Sequence, residues 1–449
     1  MGWVGWSMLD TGEYKIPLPK LSDDEIAVID AVCTEFSDTA KDEEISNGDA
    51  ARRHIRRILE EHLAKHRITV EEDQLNYLAE TAFVATYGYG PLTYLLEDDS
   101  LEEIAVIGIG TPVYVFRRQG GWVQTNFAFT DKQWLIDTIN KMARSIGRRV
   151  TTQNPRLNAL LPDGSRLHAT IEPISELEVT IRKFRKSPVS LHDLLNAGYS
   201  HELLAFLWMV FESDRNVIVC GNTAAGKTST LNALFSFVPL QERVIMLEET
   251  PEISIPHTHQ LKMKTSREQG IGMKDLIEDS LRMRPDRVII GEVRSREEIH
   301  AMIESMSAGQ ARGCYATMHA NSARELVSRL RQNEVLATDM SSIDLIIVQR
   351  RMLNVAPGQK VVEARKVVEV CELAESAGSI AIRQLFRLDP KTGKVVRTQA
   401  RSHVLEEIAF ASGITAEQVE REIARRSSYL KSALSKKDVD ASALVAAYK

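Results

Sequence analysis

The sequence is poor in cysteine, and its few thiols stand far apart. Among the 449 residues the cysteines are Cys33, Cys220, Cys314 and Cys371. No two of them form a CxxC pair, and such isolated cysteines suit a reducing cytosol. We therefore expect ordinary buried thiols.

Long hydrophobic runs and an excess of positive charge are also absent. No stretch of roughly 18 uncharged apolar residues occurs, so no transmembrane helix is expected. The opening residues MGWVGWSMLD contain neither a basic leader nor a long apolar run, so no signal peptide is expected. The net charge of −6 gives no global attraction for nucleic acid, although a local basic patch is compatible with it.

Length and composition instead favour a large folded protein. A chain of 449 residues exceeds one ordinary compact core, so two or three domains are expected. The apolar fraction of 43% is sufficient for large cores, and the charged fraction of 26% for a well-solvated surface.

Residues 50–66 predict an amphipathic helix with an apolar and a basic face. The apolar face carries Ile55, Ile58, Leu59 and Leu63. The opposite face carries Arg52, Arg53, Arg56 and Arg57. This basic face is either a solvated surface or a contact with acidic lipid or a neighbouring subunit.

The rest of the N-terminal half predicts short strands between helices. A second helix is expected over residues 71–86, strands over 104–129, a helix over 131–146 and further short strands over 150–184. This pattern indicates an α+β module with antiparallel character.

The C-terminal half has a different pattern. Residues 185–199, broken by Pro188, are interpreted as a flexible linker. From residue 216 onward apolar strands alternate with helices, which predicts a mostly parallel sheet covered by helices. Residues 335–449 end in helical segments.

The strongest motif is the octapeptide GNTAAGKT, which fits GxxxxGK[ST] at every fixed position. A predicted strand precedes it and a helix is expected to begin near Ser229, as the motif requires. Such a loop curls its backbone N–H groups round a phosphate at the positive end of a helix. Lys227 is expected to reach the β- and γ-phosphates of ATP, and the Thr228 hydroxyl to ligate Mg²⁺. The predicted nucleotide-binding residues are Gly221, Asn222, Thr223, Ala224, Ala225, Gly226, Lys227, Thr228 and Ser229.

Three apolar strands downstream of this loop end in polar side chains. Glu248 and Glu249 follow VIML, Glu292 follows VIIG and His319 follows YATM. Because parallel strands bind ligands at their C-terminal edge, we expect these side chains there, with the first pair beside the loop if their strand neighbours it. Glu292 either ligates Mg²⁺ or orients water, or it only forms a surface salt bridge with Arg294. His319 either senses the γ-phosphate or is structural.

Together these four elements resemble one family, the ATPases of the type II/type IV secretion superfamily. The family has a Walker A loop, an acidic box, a Walker B of the form GE and a histidine box, in this order. They match Gly221–Thr228, Glu248–Glu249, Gly291–Glu292 and Gly309–His319. The segments LEETPEISIPH and YATMHANS are similar to the archaeal branch, and bacterial tight-adherence motors share several of these features.

The resemblance implies an α/β fold, with a RecA-like P-loop ATPase domain over residues 191–449. It also implies an α+β domain over 49–190 and leaves an N-terminal extension over 1–48. The implied protein is a Mg²⁺-dependent, ATP-hydrolysing homo-hexamer in the cytoplasm, peripherally associated with the inner face of the cell membrane. It would act on a polytopic membrane platform protein, without a specific nucleic acid, to assemble or retract a type IV pilus-like filament, an archaellum or a secretion apparatus.

The resemblance also implies roles for single residues. In the family, arginines of the N-terminal domain reach the nucleotide, and the matching segments NPRLNA, DGSRLHA and TIRKF contain Arg156, Arg166 and Arg182. A guanidinium would stabilise charge on the transferring phosphoryl group, although each of these arginines is otherwise an ordinary surface residue. Glu292 is implied to support Mg²⁺ and the acidic box to polarise water. The residues alone leave either Glu248 or Glu292 as the group that positions water.

One departure from the family pattern keeps an alternative open. The histidine box of the family usually opens with Gly-His, whereas this sequence has Gly309-Gln310. Glutamine cannot carry a proton or a charge, so a non-catalytic nucleotide-dependent regulator is an alternative, against which the other intact motifs weigh. A second alternative is a DNA-translocating ATPase of the conjugation type. The net charge of −6 and the lack of an aromatic–basic stacking run argue against it.

Overall fold

The structure is a computed structural model that describes residues 6–9, 12–39, 45, 47–118, 120–184, 189–354, 362–376, 378–435 and 440–448. The chain divides into two compact units, residues 1–186 and 187–449. The predicted division into an extension and two domains stays a prediction.

The first unit is an α+β structure. In the described residues its helices are α1 Asp23–Thr39, α2 Gly48–His66, α3 Glu72–Thr86, α4 Leu92–Glu97 and α5 Lys132–Met142. Its strands are β1 Trp6–Met8, β2 Leu101–Ile107, β3 Pro112–Arg117, β4 Gly121–Phe129, β5 Arg156–Leu160, β6 Arg166–Ile171 and β7 Leu177–Arg182. They form one antiparallel sheet in the order β1-β4-β3-β2-β7-β6-β5, which confirms the predicted antiparallel character.

Helix α2 is the predicted amphipathic helix. Its apolar stripe is buried in a cluster with residues of α1 and α3, because helical spacing places these residues on one face. The buried residues of the stripe include Ile55, Ile58, Leu59 and Leu63. On the basic face, Arg52 pairs with Glu80 at 3.1 Å and Arg56 with Glu72 at 2.7 Å, both on α3. These two arginines are therefore engaged inside the first unit rather than forming an open basic patch.

The second unit is an α/β structure. In the described residues its strands are β8 Val217–Gly221, β9 Val244–Glu248, β10 Gln260–Lys264, β11 Arg287–Val293, β12 Gly313–Met318, β13 Leu345–Asn354, β14 Val362–Ser376, β15 Ser379–Asp389 and β16 Lys394–Arg397. Its helices are α6 Leu191–Asn196, α7 His201–Glu212, α8 Lys227–Leu234, α9 Met273–Ser280, α10 Arg296–Ser307, α11 Ala323–Gln332, α12 Ala337–Met340, α13 His403–Ser412, α14 Ala416–Ala433 and α15 Ala441–Ala447.

The sheet of the second unit has the order β10-β9-β11-β12-β8-β13-β14-β15-β16. The strands from β10 to β13 in this order run parallel. Successive residues of β8 enter different hydrophobic clusters: Val217 and Val219 join one, Ile218 and Cys220 the other. The sheet is therefore buried on both faces, which explains the uninterrupted apolar runs of its strands. This arrangement confirms the predicted RecA-like α/β fold.

The sequence prediction missed the antiparallel half of this sheet. Strands β14, β15 and β16 pair antiparallel beyond β13, in a region for which the sequence predicted only that it ends in helical segments. The reason is visible in β13: residues 345–349 are buried, but Arg350 and Arg351 are only partly so. Charged residues on these strands break the apolar pattern that marks a buried strand. The expected C-terminal helices do form, as α13, α14 and α15.

The predicted flexible linker over residues 185–199 is wrong for its described part, because residues 189–199 fold into the second unit. A capping box between Ser190 and Asp193 starts α6, and Leu191 and Tyr199 are buried. The end of this segment is attached to β14, since the N–H of Val367 donates to the Ala197 carbonyl at 3.0 Å. Pro188 lies outside the described residues. Across the described part of the chain, no helix combines the length and hydropathy needed to span a bilayer.

Candidate nucleotide-binding site

The glycine-rich loop connects β8 to α8 at the C-terminal edge of the parallel strands. Helix α8 begins at Lys227, two residues before the predicted Ser229. Within the loop Ala224 has φ 59° and Gly226 has φ 92°, both in the left-handed region that favours glycine. The loop thus has the strand–loop–helix context that a phosphate-binding loop requires, with the N–H groups of the first turn of α8 directed toward it.

The start of the loop is fixed against β13. A Cβ atom on Gly221 would lie 1.9 Å from the carbonyl oxygen of Gln349, so only glycine fits there. The amide of Asn222 pairs with the backbone of Arg351, donating to its carbonyl at 2.9 Å and accepting from its N–H at 2.8 Å. The Asn222 side chain therefore continues the hydrogen bonding of β8 and β13 past the end of β8.

Lys227 is held at the loop itself. Its Nζ donates to the carbonyl oxygens of Gly221 at 3.3 Å and Asn222 at 3.4 Å, and the residue is buried. Thr228 is partly buried in the first turn of α8. The Thr230 hydroxyl donates to Oε1 of Gln349. The lysine and the threonine of the motif are adjacent residues in the first turn of α8.

The strand order decides which predicted residues can lie near the loop. Because β12 is the neighbour of β8 on this side, His319 follows the adjacent strand and Glu292 lies on the next strand, β11. Strand β9 is separated from β8 by β11 and β12, which places it about 14 Å away at the usual strand spacing. The condition under which Glu248 and Glu249 would lie directly beside the loop is therefore not met.

Glu248 and Glu249 have different surroundings. Glu248 is buried, and its Oε1 accepts from the N–H of Glu252 at 2.7 Å and of Ile253 at 2.8 Å. Burial raises the pKa of Glu248, against the opposing effect of these two hydrogen bonds. Its carboxylate thus holds the loop after β9, whereas Glu249 is exposed and pairs with Arg294. Of Glu248 and Glu249, it is Glu249 that contacts another residue of the site, Arg294.

Glu292 contacts two further groups at the sheet edge. Its Oε1 lies 2.6 Å from Nε2 of His319, and its Oε2 accepts from Nε of Arg294 at 3.0 Å. Burial opposes ionisation of Glu292, but Arg294, His319 and Lys227 outweigh it, so the pKa of Glu292 is lowered. Burial and the positive charge of Lys227 together lower the pKa of His319. The predicted salt bridge between Glu292 and Arg294 is present. Glu292 also contacts His319 at the C-terminal edge of the sheet, so both interpretations of Glu292 are compatible with the structure.

Gln310 lies at the other end of this sheet. It is exposed and precedes β12, whereas His319 follows β12, so about 20 Å of strand separates them. The nearby Arg312 confirms this location, because its N–H donates to the carbonyl of Asp286 at 2.8 Å, just before the start of β11. The glutamine that departs from the family pattern is therefore not beside the glycine-rich loop of its own chain.

The three arginines that the family resemblance assigns to the nucleotide lie at two separate positions on the sheet of the first unit. Arg166 and Arg182 are directly opposite each other on β6 and β7. Arg156 begins β5 and pairs with Thr170, at the far end of the hairpin from Arg166, about 13 Å along the strand. The structure brings Arg166 and Arg182 together and leaves Arg156 apart.

The oxygen ligands at the C-terminal edge of the sheet suit Mg²⁺, the ion that the family resemblance implies. The Thr228 hydroxyl and the Glu292 carboxylate are oxygen groups, the kind that Mg²⁺ prefers. In the described residues no group of three or more His, Cys, Asp or Glu side chains could hold a metal ion. One or two protein ligands suit a Mg²⁺ ion that is bound largely through nucleotide phosphates.

Gln349 and Arg329 were not predicted as residues of this site, and Arg294 was predicted only as a salt-bridge partner of Glu292. Gln349 supports the loop from β13, Arg294 bridges two carboxylates, and Arg329 donates from NH1 to the carbonyl of His319 at 2.9 Å. A signal existed for Gln349, since a polar residue that ends the apolar run LIIV is buried. Arg329 had none, because an arginine on a helix is usually solvated.

The chain is similar to a protein-family model and to several known proteins. The family model described as "Type II/IV secretion system protein" matches residues 88–433. An uncharacterised protein of Methanocaldococcus jannaschii is 38% identical over 249 residues, 52% of this chain and 34% of its own length. A second from the same organism is 33% identical over 366 residues, 78% of this chain and 64% of its own length. The type IV secretion system protein VirB11 of Bartonella henselae is 27% identical over 329 residues, 61% of this chain and 91% of its own length.

The chain thus spans only 34% and 64% of the lengths of the two M. jannaschii relatives. The family match, by contrast, covers most of the chain and includes the glycine-rich loop and the ends of β9, β11 and β12. On this match the chain belongs to the type II/type IV secretion superfamily of ATPases.

Proposed function

We propose that this chain is a Mg²⁺-dependent ATPase that works as a homo-hexameric motor. Its hydrolysis of ATP drives assembly or retraction of a type IV pilus-like filament or a secretion apparatus at the cytoplasmic face of the membrane, through a polytopic platform protein. The observation that carries the proposal is the clustering of Lys227, Glu292 and His319 at the C-terminal edge of the parallel strands of one sheet.

Each of these residues has a part in the proposed reaction. Lys227 and the N–H groups of the loop bind the phosphates of ATP. The Thr228 hydroxyl and the Glu292 carboxylate would hold Mg²⁺, which would supply positive charge against the phosphates. Glu249 and Glu292 are the carboxylates that position the attacking water, and His319, hydrogen-bonded to Glu292, responds to the γ-phosphate.

The structure weakens the argument for a non-catalytic regulator. That alternative rested on Gln310, which lies at the opposite edge of the sheet from the loop. A substitution there leaves the local chemistry of Lys227, Glu292 and His319 intact. The relatives are compatible with a secretion role, since one carries the name of a type IV secretion system protein.

Steady-state phosphate release with Mg-ATP tests the proposal, with light scattering on the same samples to give the mass. We expect Lys227→Ala to lose nucleotide binding and turnover, because it removes the ammonium at the phosphates. We expect Glu292→Gln to bind nucleotide but lose most turnover, since it keeps the shape and removes the charge. Wild type should turn over with a mass near six chains.

Two results would contradict this proposal. Nucleotide binding without turnover in the assembled wild type would favour a nucleotide-dependent regulator. Turnover that depends on DNA, with binding that weakens steeply as salt rises, would favour the conjugation-type translocase.

A further inference from the structure

Two arginines connect the ends of the three strands that carry the acidic and histidine residues. Arg294 follows β11, and its guanidinium reaches Glu249 with NH1 and Glu292 with Nε, the latter at 3.0 Å. One side chain therefore bridges a carboxylate after β9 and a carboxylate on β11.

Arg329 makes the second connection. It projects from α11, and its NH1 donates to the carbonyl of His319 at 2.9 Å while its NH2 donates to the carbonyl of Arg294 at 3.3 Å. Both acceptors are backbone atoms just past the ends of β11 and β12. Arg329 therefore ties the backbone just after Glu292 to the backbone of His319, whatever their side chains contact.

We propose that Arg294 and Arg329 are positioning residues for ATP hydrolysis: they hold Glu249, Glu292 and His319 in one fixed arrangement at the sheet edge. This inference rests on the proposed function. The arrangement matters because Glu292 uses both of its oxygens in it, Oε1 with His319 and Oε2 with Arg294. With both oxygens engaged, the carboxylate cannot rotate without breaking a contact.

An arginine suits this role for a geometric reason. Its guanidinium is planar and offers several N–H donors in a fixed fork, so it can bind two carboxylates at once in a defined orientation. Lysine has a compact charge and would keep the electrostatic attraction but not the orientation. The bridge also allows Glu249 and Glu292, which carry like charges, to lie close together at the edge of the sheet.

The competing interpretation is that Arg294 forms ordinary surface ion pairs with Glu249 and Glu292. Exposed ion pairs contribute little to protein stability, so such pairs would have little effect when removed. The chain supplies a matched control for it. Arg296, two residues beyond Arg294, pairs with Glu334, and its side chain is 53% exposed against 54% for Arg294. Arg296 contacts neither Glu249 nor Glu292, so it carries the same kind of pair without the proposed role.

The experiment compares Arg294→Gln, Arg294→Lys, Arg329→Gln and Arg296→Gln in the full chain. Turnover, KM for ATP, the Mg²⁺ concentration at half-maximal rate and the Kd for a fluorescent ATP analogue are measured for each. We expect Arg294→Gln to lower kcat about 10- to 100-fold with little change in Kd, because misplaced groups lose rate rather than affinity. Arg294→Lys should recover part of the rate, Arg329→Gln should lose less, and Arg296→Gln should match wild type.

Two outcomes would overturn the inference while leaving the proposed function in place. One is Arg294→Gln turning over like Arg296→Gln. The other is a loss of nucleotide affinity in the Arg294 variants as large as their loss of turnover, which would make Arg294 a binding residue. A wild type that releases no phosphate would remove the proposed function and this inference together. If Arg294→Gln melts well below wild type, Arg294→Lys, which keeps the charge, decides the test.

Discussion

Gly221 is the residue at which the backbone of the glycine-rich loop approaches β13 most closely. The atom that a side chain there would meet is the carbonyl oxygen of Gln349, a backbone atom in the middle of the sheet. Rotation of a side chain cannot relieve such a contact, so any substitution must move one strand. The glycine is therefore required by the packing of β8 on β13 as well as by the motif.

Gly221→Ala tests this argument. We expect it to lower the free energy of unfolding by at least about 1–3 kcal/mol, the usual cost of an overpacked core, and to weaken nucleotide binding through displacement of the loop. Urea denaturation and titration with a fluorescent ATP analogue measure the two effects. Gly272→Ala is the control, because its Cβ would make only an ordinary contact, 3.5 Å from Asp275. Equal stability of the two variants would refute the argument.

Glu248 and Glu249 are adjacent residues of one motif that have different structural roles. Glu248 is the last residue of β9, and Glu249 is the first residue after the strand. Glu248 lies inside, where it accepts backbone N–H groups and burial raises its pKa, while Glu249 lies outside against Arg294. The motif therefore contributes one carboxylate to the fold of the loop and one to the surface of the site.

Among the elements, α13 depends on a carboxylate from the antiparallel half of the sheet. Glu372 of β14 is buried, and it accepts hydrogen bonds from the N–H groups of His403 at 2.9 Å and Val404 at 3.2 Å. The hydroxyl of Ser402 donates to the same carboxylate. These N–H groups belong to the first turn of α13, which has no partners of its own for them. Glu372 therefore fixes the start of the C-terminal helices to the sheet.

Glu372→Gln removes the charge and one acceptor from this cap. We expect a loss of about 1–3 kcal/mol in the free energy of unfolding, the cost of leaving buried donors without partners. Hydrogen exchange should rise in α13 before it rises in β8 and β12. Glu375→Gln on the exposed part of the same strand is the control and should leave exchange in α13 unchanged. Uniform exchange across the second unit would show instead that α13 unfolds only with the whole unit.

The sequence predicts best the strands that are buried along their whole length and the helix that is buried along one face. Strands β8, β9 and β12 are buried along their length and read as apolar runs, and the amphipathic helix α2 has a clear stripe. Strand β13 begins with the apolar run LIIV but continues with QRR, and β14 carries charged residues along its length, so only the start of β13 has the apolar pattern of a buried strand.

The arrangement of the candidate site follows less directly from the sequence. The motifs place Glu292 and His319 at strand ends, but the order of strands is set by tertiary packing, and it puts β11 and β12 between β9 and β8. A motif that is contiguous in sequence can also span a whole strand, which is why Gln310 and His319 lie at opposite edges. Distances across a sheet cannot be read from distances along the chain.

At the scale of the whole molecule, the residues proposed for the reaction are divided between two units. Each hydrophobic cluster of the described residues lies within a single unit, so each unit has its own core. The glycine-rich loop belongs to the second unit, and the three candidate arginines belong to the first.

The arginines of the first unit give the last prediction. Arg166 and Arg182 lie directly opposite each other on neighbouring strands, whereas Arg156 lies apart from them. Two neighbouring guanidinium groups can bind one phosphate group together, which makes the pair the best candidate for the contact with nucleotide that the family resemblance implies. We therefore expect Arg166→Gln and Arg182→Gln each to lower kcat about 10-fold or more, and the double variant to be little worse than either, because the two would act as a unit.

Arg156→Gln is the control for this pair, because Arg156 is exposed at the far end of the hairpin formed by β5 and β6. It should change phosphate release little. If Arg156→Gln alone abolishes turnover, the far end of β5 rather than the paired arginines serves the nucleotide. If no arginine variant changes the rate, the first unit contributes no positive charge to the reaction, and the charge of the transferring phosphoryl group must be balanced by the second unit, where Lys227 is the residue at the loop.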